Sequence, residues 1–190
     1  MEQRIVDAIR ELEQLDEQTN APEPLYRISA DNGQFLNLLV RVSGAKRVLE
    51  IGSSSGYSGL YLGEAARANG GTVTTCELSE YKIQLAKSVY EKAGLSNTIS
   101  IVEGDALETL KTLQGPWDFV FIDAWKEDYP AYLHLVWPHV KQGGVVVADD
   151  IISAGDSPGI KRYLEDVRAK ADARTVTVPV DDGVEFTTKL

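Results

Sequence analysis

Short apolar runs alternate with amphipathic segments from residue 46 onward. The apolar runs predict strands at residues 46–51, 72–77, 98–102, 117–122 and 144–149. The segments between or after them predict helices near residues 58–68, 80–93, 106–113, 130–140 and 158–171. Repeated strand–helix units imply a parallel sheet with helices on both faces. The strands are rich in Val, Ile and Phe, as expected when both of their faces are covered.

The end of the chain departs from this alternation. Residues 174–178 and 184–189 are strand-like runs with no room for a helix between them. The Asp182-Gly183 turn that joins them predicts an antiparallel hairpin. The sheet is therefore expected to be parallel and to finish with this hairpin.

The start of the chain predicts two helices, at residues 4–18 and 32–42. The first has an apolar stripe that would pack on the domain or on a second subunit, which leaves a homodimer open. The segment from Asn20 to Pro24 ends this helix, because Pro cannot continue a helix. We expect one domain over residues 1–190, with residues 1–45 as a helical cap.

A glycine-containing turn follows the first predicted strand of the alternating region, in the sequence RVLEIGSSSGYSGLY of residues 47–61. Ser58 is the predicted N-cap of the next helix. Gly52 and Gly56 permit positive φ and close approach of a ligand to the main chain. Ser54 stands where a dinucleotide-binding turn carries its second glycine, so a pyrophosphate ligand is disfavoured. A ligand with a carboxylate and an ammonium fits better, with Glu50 near the cation.

Composition excludes several classes of protein and site. The 190 residues carry a formal net charge of −10 and no basic run, which argues against sequence-independent binding of nucleic acid. No apolar run approaches the roughly 20 residues of a membrane span, and the first residues do not resemble a signal peptide, so we expect a cytoplasmic protein. Cys76 is the only cysteine, which excludes an intrachain disulfide and a zinc site built from thiolates.

Acidic residues end nearly every predicted strand of the alternating region, where ligands bind in doubly wound sheets. For Asp105 the alternative role is to cap the following helix. Asp123, Asp149 and Asp150 follow two strands that we expect to be neighbours, so their carboxylates would repel one another in one cleft. A divalent cation resolves that repulsion, and an all-oxygen shell suits Mg²⁺, with Mn²⁺ or Ca²⁺ as alternatives. Lys126 can reach the same cleft, and near a metal it would lose its proton more readily, as a general base requires.

Three motifs together resemble those of a known enzyme family. They are E-I-G-x-x-x-G-Y-S at residues 50–58, D-A-W-K-x-x-Y at residues 123–129 and G-G-x-x-x-x-D-D at residues 143–150. These are similar to motifs of the metal-dependent, S-adenosylmethionine-dependent O-methyltransferases of the catechol and caffeoyl-CoA type. The resemblance implies a Rossmann-like methyltransferase fold of the α/β class, with a parallel seven-stranded sheet, a C-terminal antiparallel hairpin and helices on both faces.

The resemblance also implies roles for individual residues. Asp123, Asp149 and Asp150 would hold the metal, and Lys126 would take the proton from the acceptor hydroxyl. Glu77 would bind the ribose and Trp125 would lie against the adenine. Residues 26–30 are a candidate lid, and Tyr57 is either a core aromatic or a cofactor wall. The full set expected to contact S-adenosylmethionine is Ile28, Glu50, Gly52, Ser54, Gly56, Tyr57, Ser58, Glu77, Leu78, Asp105, Ala106, Asp123 and Trp125.

The sequence departs from the family pattern at three places. Asp150 stands where the family usually has Asn, which adds a negative charge. The stretch at residues 175–179 lacks the carboxylate with which catechol-type members contact a second hydroxyl, and the loop at residues 153–159 differs from familiar forms. The expected acceptor is a small hydroxylated aromatic of the catechol type. The alternatives are a hydroxylated uridine of tRNA, or a non-catalytic nucleoside-binding protein.

Overall fold

Seven strands form one sheet in the computed structural model, which describes residues 1–18 and 21–190. They are β1 (Arg47–Ile51), β2 (Thr72–Glu77), β3 (Ile99–Glu103), β4 (Trp117–Ile122), β5 (Val140–Ala148), β6 (Ala173–Val178) and β7 (Val184–Lys189). Their spatial order is β3-β2-β1-β4-β5-β7-β6. The pairs among β1 to β5 are parallel, whereas β7 runs antiparallel to both β5 and β6. The predicted sheet with its C-terminal hairpin is confirmed.

The helices agree with the sequence pattern in order and in approximate position. They are α1 (Gln3–Glu17), α2 (Ala30–Ser43), α3 (Tyr57–Ala68), α4 (Glu80–Lys92), α5 (Ala106–Thr109), α6 (Tyr129–Val136) and α7 (Pro158–Arg168). In the described part of the chain, no helix has the length and apolar character needed to cross a membrane. Asn20, the predicted start of the segment that ends the first helix, lies outside the described residues.

Three predicted boundaries are wrong by four residues, each for a local reason. The helix expected to reach residue 113 ends at Thr109, after which i→i−3 hydrogen bonds tighten the chain. The helix expected to reach residue 140 ends at Val136, and a 3₁₀ turn that contains Pro138 follows it. β5 begins at Val140 rather than at residue 144, and its pairing with β4 shifts register where the strand passes through two glycines.

Two apolar layers cover the sheet, because successive side chains of a strand point to opposite faces. One layer joins buried residues of α1 to α4 to the strand residues Val48, Phe119, Phe121 and Val147. The other joins α6 and α7 to the strand residues Leu49, Ile51, Val120 and Ile122. The expectation of helices on both faces is confirmed.

The N-terminal helices pack on the rest of the domain. α1 buries Ile5, Ile9 and Leu12 and contacts α3 and α4, which agrees with the first of its two predicted packing modes. α2 begins at Ala30, two residues earlier than predicted, because the Ser29 hydroxyl accepts the Asn32 N–H and caps it. α2 and α3 approach closely at Gly33, where a Cβ atom would lie 2.5 Å from the Tyr61 ring.

Ser58 does not cap α3, contrary to the prediction. The N-cap is Gly56, at φ 89°, and the Ser58 hydroxyl instead donates a 2.6 Å hydrogen bond to Oε1 of Glu50. Glu50 lies on β1 with none of its surface exposed, and its Oε2 has no partner among the described residues. Burial raises the pKa of Glu50 to about 7. The carboxyl group is therefore readily protonated inside the sheet.

The C-terminal hairpin is fastened to α7 by an ion pair between a buried carboxylate and a half-exposed guanidinium. Glu185 on β7 has no exposed surface, and Arg168 donates to both of its oxygens, at 3.0 and 3.1 Å. Thr175 and Thr177 on β6 donate to the same carboxylate. Glu185 lies level with Ala148, the last residue of β5. This ion pair therefore holds the hairpin beside the end of β5.

Replacing Arg168 by Ala should lower the free energy of unfolding by about 1–3 kcal/mol, because the buried Glu185 carboxylate loses its charged donor and keeps only Thr175 and Thr177. Urea denaturation measures this loss. Arg162→Ala, on the exposed face of the same helix, is the control and should change stability by less than about 0.5 kcal/mol. Equal effects of the two substitutions would contradict the structural role of the Arg168–Glu185 pair.

Glu50→Gln should change how stability depends on pH. The folded pKa of Glu50 is about 7 against an ordinary 4.5, so its contribution is complete below pH 4.5 and is lost as pH rises through 7. Gln does not titrate, so the variant should gain about 2–3 kcal/mol relative to the parent between about pH 5 and about pH 8. Denaturation curves across this range test the expectation, with the exposed Glu108→Gln as control. Parallel pH profiles for parent and Glu50→Gln would contradict it.

Candidate functional site

A cleft of about 930 Å³ opens at the carboxyl ends of the parallel strands. It contains most of the residues that the sequence analysis selected. Those on its lining are Ile28, Gly52, Ser54, Tyr57, Ser58, Glu77, Leu78, Asp105, Ala106, Asp123, Trp125, Lys126, Asp149 and Asp150. Glu50 and Gly56 do not line it. Glu50 lies behind Ser58, so any effect of Glu50 on a ligand would pass through that hydroxyl group.

The turn after β1 packs directly on the end of β4. Gly52 has φ 95°, and a Cβ atom there would lie 2.1 Å from the carbonyl oxygen of Asp123. At Gly56 a Cβ atom would lie 2.9 Å from the ring of Tyr90. At both glycines the close neighbour is therefore another part of the protein. The sequence analysis had expected a ligand to approach the main chain there.

Glu77 organises the cleft wall next to this turn. Its Oε2 accepts the N–H of Ser54 at 2.7 Å, and its Oε1 accepts the N–H groups of Leu78 and Ser79. Ser54 has φ 45°, so this bond holds a non-glycine residue in the left-handed region. A carboxylate can accept about four hydrogen bonds, which leaves capacity for a ligand hydroxyl.

Apolar surface borders the cleft beyond Glu77. Leu78 is 70% exposed and Trp125 is 73% exposed. Asp105 lies between the end of β3 and the start of α5, and its carboxylate accepts the Leu107 N–H at 2.8 Å. Its predicted alternative role as a helix cap is therefore confirmed. The arrangement offers planar and aliphatic surface of the kind on which a nucleobase packs.

Tyr57 combines its two predicted roles. It is 1% exposed and belongs to the apolar layer, yet it also lines the cleft. Its hydroxyl donates to Glu13 on α1 at 2.7 Å, and the guanidinium of Arg27 lies 5.5 Å from its ring centroid. The cap helices therefore help to hold this wall of the cleft.

Lys126 occupies the centre of the opposite end of the cleft. Its Nζ lies 2.9 Å from Asp123 Oδ1, 2.5 Å from Asp150 Oδ2 and 3.0 Å from the Tyr129 hydroxyl. An ammonium group has three hydrogens, so these partners can take all of them. Tyr129, the last residue of the second motif, is itself fixed by a hydrogen bond to the carbonyl of Ile122.

The charges at this end of the cleft shift several pKa values. Burial alone would lower the pKa of Lys126, but the carboxylates of Asp123 and Asp150 outweigh burial and raise it. The easier loss of the proton was predicted for Lys126 beside a metal ion, so it stays a prediction for the metal-loaded site. Burial, with the neighbouring Asp123 charge, raises the pKa of Asp149 to about 8. Burial at this end of the cleft therefore disfavours the charged form of Asp149.

The three aspartates lie at one end of the cleft but do not surround a common point. Asp150 has φ 58°, a left-handed conformation that Asp and Asn tolerate better than most residues, and the turn directs its carboxylate to Lys126. Asp149 instead accepts a 2.9 Å hydrogen bond from Asn32. Across residues 1–18 and 21–190, no three His, Cys, Asp or Glu side chains are grouped closely enough to hold a metal ion.

The structure adds residues that the sequence analysis did not select. Asp181 and Asp182, in the turn of the C-terminal hairpin, line the cleft, and Asp181 accepts the Ser29 N–H at 2.7 Å. The Asp-Gly turn was visible in the sequence, but its position beside the end of β5 depends on strand order. Of the predicted lid at residues 26–30, only residues 26–28 line the cleft. Ala30 already belongs to α2.

Known proteins resemble this chain in sequence. Catechol O-methyltransferase of Mycobacterium tuberculosis is 38% identical over 154 residues, which cover 80% of this chain and 68% of that protein. Caffeoyl-CoA O-methyltransferase 1 of Zea mays is 34% identical over 176 residues, which cover 87% of this chain and 68% of that protein.

Solved structures resemble the whole fold. The O-methyltransferase from Bacillus cereus in complex with SAH has a TM-score of 0.88 at 30% identity, covering 97% of this chain and 91% of that one. TomG from Streptomyces achromogenes in complex with SAM has a TM-score of 0.83 at 29% identity, covering 100% of this chain and 90% of that one. A family model described as O-methyltransferase matches residues 2–190. The chain therefore belongs to the O-methyltransferase family.

Proposed function

We propose that this O-methyltransferase uses S-adenosylmethionine and a divalent metal ion to methylate a small hydroxylated aromatic, catechol-like acceptor. The observation that carries the proposal is that one cleft contains both Glu77, beside exposed apolar surface, and Lys126 between two carboxylates. The first end suits a nucleoside and the second suits proton transfer. The proposal includes a cytoplasmic enzyme with one domain over residues 1–190.

The cofactor end of the cleft supports S-adenosylmethionine as the methyl donor. Glu77 has one oxygen that is only singly hydrogen-bonded and could accept a ribose hydroxyl. Leu78, Ala106 and Trp125 border the space for the adenine, and Ser58 and the turn at Gly52 border the space for the amino-acid part. Structural relatives hold SAH or SAM, which supports the same ligand here.

The charge of the cleft narrows the choice of acceptor. Nine acidic residues line it against three basic ones, Arg27, Lys82 and Lys126. Such a lining attracts the cationic methyl donor and repels polyanions. It therefore disfavours tRNA and a coenzyme A thioester relative to a small neutral or cationic phenol. The acidic lining residues are Glu77, Asp105, Asp123, Glu127, Asp128, Asp149, Asp150, Asp181 and Asp182.

The donor chemistry fits a hard divalent cation, although the side chains are not grouped as a ligand set. All three aspartates offer oxygen, and Asp149 Oδ1 is buried without a partner among the described residues. Asp123, Asp149 and Asp150 would hold the ion. When bound, a divalent cation would hold the acceptor oxygens and lower the pKa of the hydroxyl to be methylated.

Lys126 is the proposed general base, at Nζ. Only its neutral form can accept a proton, and in this structure Asp123 and Asp150 favour the ammonium form. The base role therefore requires that the charge of these carboxylates be offset in the loaded enzyme. Tyr129 holds Nζ in position in either state. The cleft contains Lys126 together with all three aspartates, which argues against a non-catalytic nucleoside-binding protein.

Methyl transfer from S-adenosylmethionine to catechol should require added Mg²⁺ or Mn²⁺ after treatment with a chelator. A catecholic coenzyme A thioester and tRNA should be much poorer acceptors, because the cleft is acidic. Product mass measured with each acceptor and metal tests both statements. Unchanged transfer in chelator would exclude the metal, and cofactor binding without turnover on any acceptor would favour the nucleoside-binding alternative.

Lys126→Met should lower kcat by about 10²- to 10⁴-fold, the range for loss of a general base, while leaving the Kd for S-adenosylmethionine within about twofold. Steady-state kinetics and calorimetric titration measure the two quantities. Lys161→Met, at an exposed lysine of α7, is the matched control. Full activity of the Lys126 variant would remove the base role.

A further inference from the structure

Asn32 connects the N-terminal cap to the acceptor end of the cleft. It lies in the first turn of α2 with none of its surface exposed. Its Nδ2 donates a 2.9 Å hydrogen bond to Oδ2 of Asp149, a residue that is 2% exposed. The two residues are 117 positions apart in the chain. The contact therefore exists only because α2 packs over the end of β5.

The Asn32–Asp149 pair leaves two buried oxygens unsatisfied. Neither Asn32 Oδ1 nor Asp149 Oδ1 has a hydrogen-bond partner among the described residues. A buried acceptor without a donor costs about 1–3 kcal/mol, and such atoms are few in folded proteins. An apolar side chain at residue 32 would remove the unsatisfied Asn32 oxygen but would leave Asp149 Oδ2 without its donor. What the amide provides at this position is therefore the hydrogen bond to Asp149.

Other contacts hold α2 in place without Asn32. Asn37 Nδ2 donates to the carbonyl of Tyr61 at 2.8 Å and to Glu64 at 2.7 Å. Arg41 adds a 2.6 Å ion pair with Glu64. These bonds and the close approach at Gly33 fasten α2 to α3. The bond from Asn32 is directed instead to a carboxylate of the cleft.

We propose that Asn32 is a positioning residue for the divalent metal ion and that it acts through Asp149. By holding Oδ2, the Asn32 amide fixes the rotation of the carboxylate and leaves Oδ1 as the oxygen free for the cation. Hydrogen bonds to a ligating carboxylate typically change metal affinity by about 10- to 100-fold. The inference rests on the metal-dependent function proposed above, and it makes the N-terminal cap a part of the metal end of the cleft.

Calorimetric titration of the full-length chain with Mn²⁺, without acceptor, tests this role. Asn32→Leu keeps the approximate volume and removes the donor, and Asn32→Ala removes the donor without risk of overpacking. Both should bind Mn²⁺ about 10- to 100-fold more weakly than the parent, while the Kd for S-adenosylmethionine stays within about twofold. Asn37→Leu is the matched control, because it removes a buried amide from the same helix. It should lower the Tm and leave Mn²⁺ affinity unchanged.

Each other outcome has a distinct meaning. Equal Mn²⁺ affinity of the parent and both Asn32 variants would overturn the positioning role and leave the proposed function intact. An equal loss in Asn37→Leu would assign the effect to helix packing and would also overturn it. If the parent itself binds no Mn²⁺, both the metal in the proposed function and the role of Asn32 are wrong.

Discussion

The ammonium of Lys126 between the carboxylates of Asp123 and Asp150 is the interaction on which the site depends. Asp123 follows β4 and Asp150 follows β5, so the contact joins the ends of two neighbouring strands. One positive charge faces three aspartates, and burial together with the Asp123 charge raises the pKa of Asp149. Because two carboxylates stabilise the ammonium, the same contact that positions Lys126 also favours its protonated form.

Elements outside the parallel strands reach this end of the cleft through polar contacts. Ser29, at the start of α2, donates to Asp181 of the hairpin turn, and Asn32 donates to Asp149. The Arg168–Glu185 pair fastens the hairpin to α7. The cap therefore contacts both ends of the cleft, because Glu13 on α1 also accepts the Tyr57 hydroxyl. The hairpin turn contacts the end that contains Lys126 and the aspartates.

Most of the fold and much of the site could be predicted from the sequence. The parallel strands, the C-terminal hairpin and the two helix layers are confirmed, because apolar periodicity reports which faces are buried. Most of the predicted ligand-contacting residues line the cleft, because strand ends are recognisable in the sequence. The prediction was wrong about Ser58, which hydrogen-bonds Glu50 rather than capping α3, since a hydroxyl can serve either partner and the spacing does not distinguish them.

The sequence by itself determined the α/β architecture, the glycine turn and the row of acidic strand ends, because periodicity and turn chemistry are properties of short segments. Only the tertiary structure decided that Glu50 lies behind the cleft wall, that Asp181 enters the cleft and that Asn32 meets Asp149. It also decided that the pKa of Lys126 is raised rather than lowered. These properties depend on distances between residues far apart in the chain, and electrostatic and hydrogen-bond energies are set by those distances.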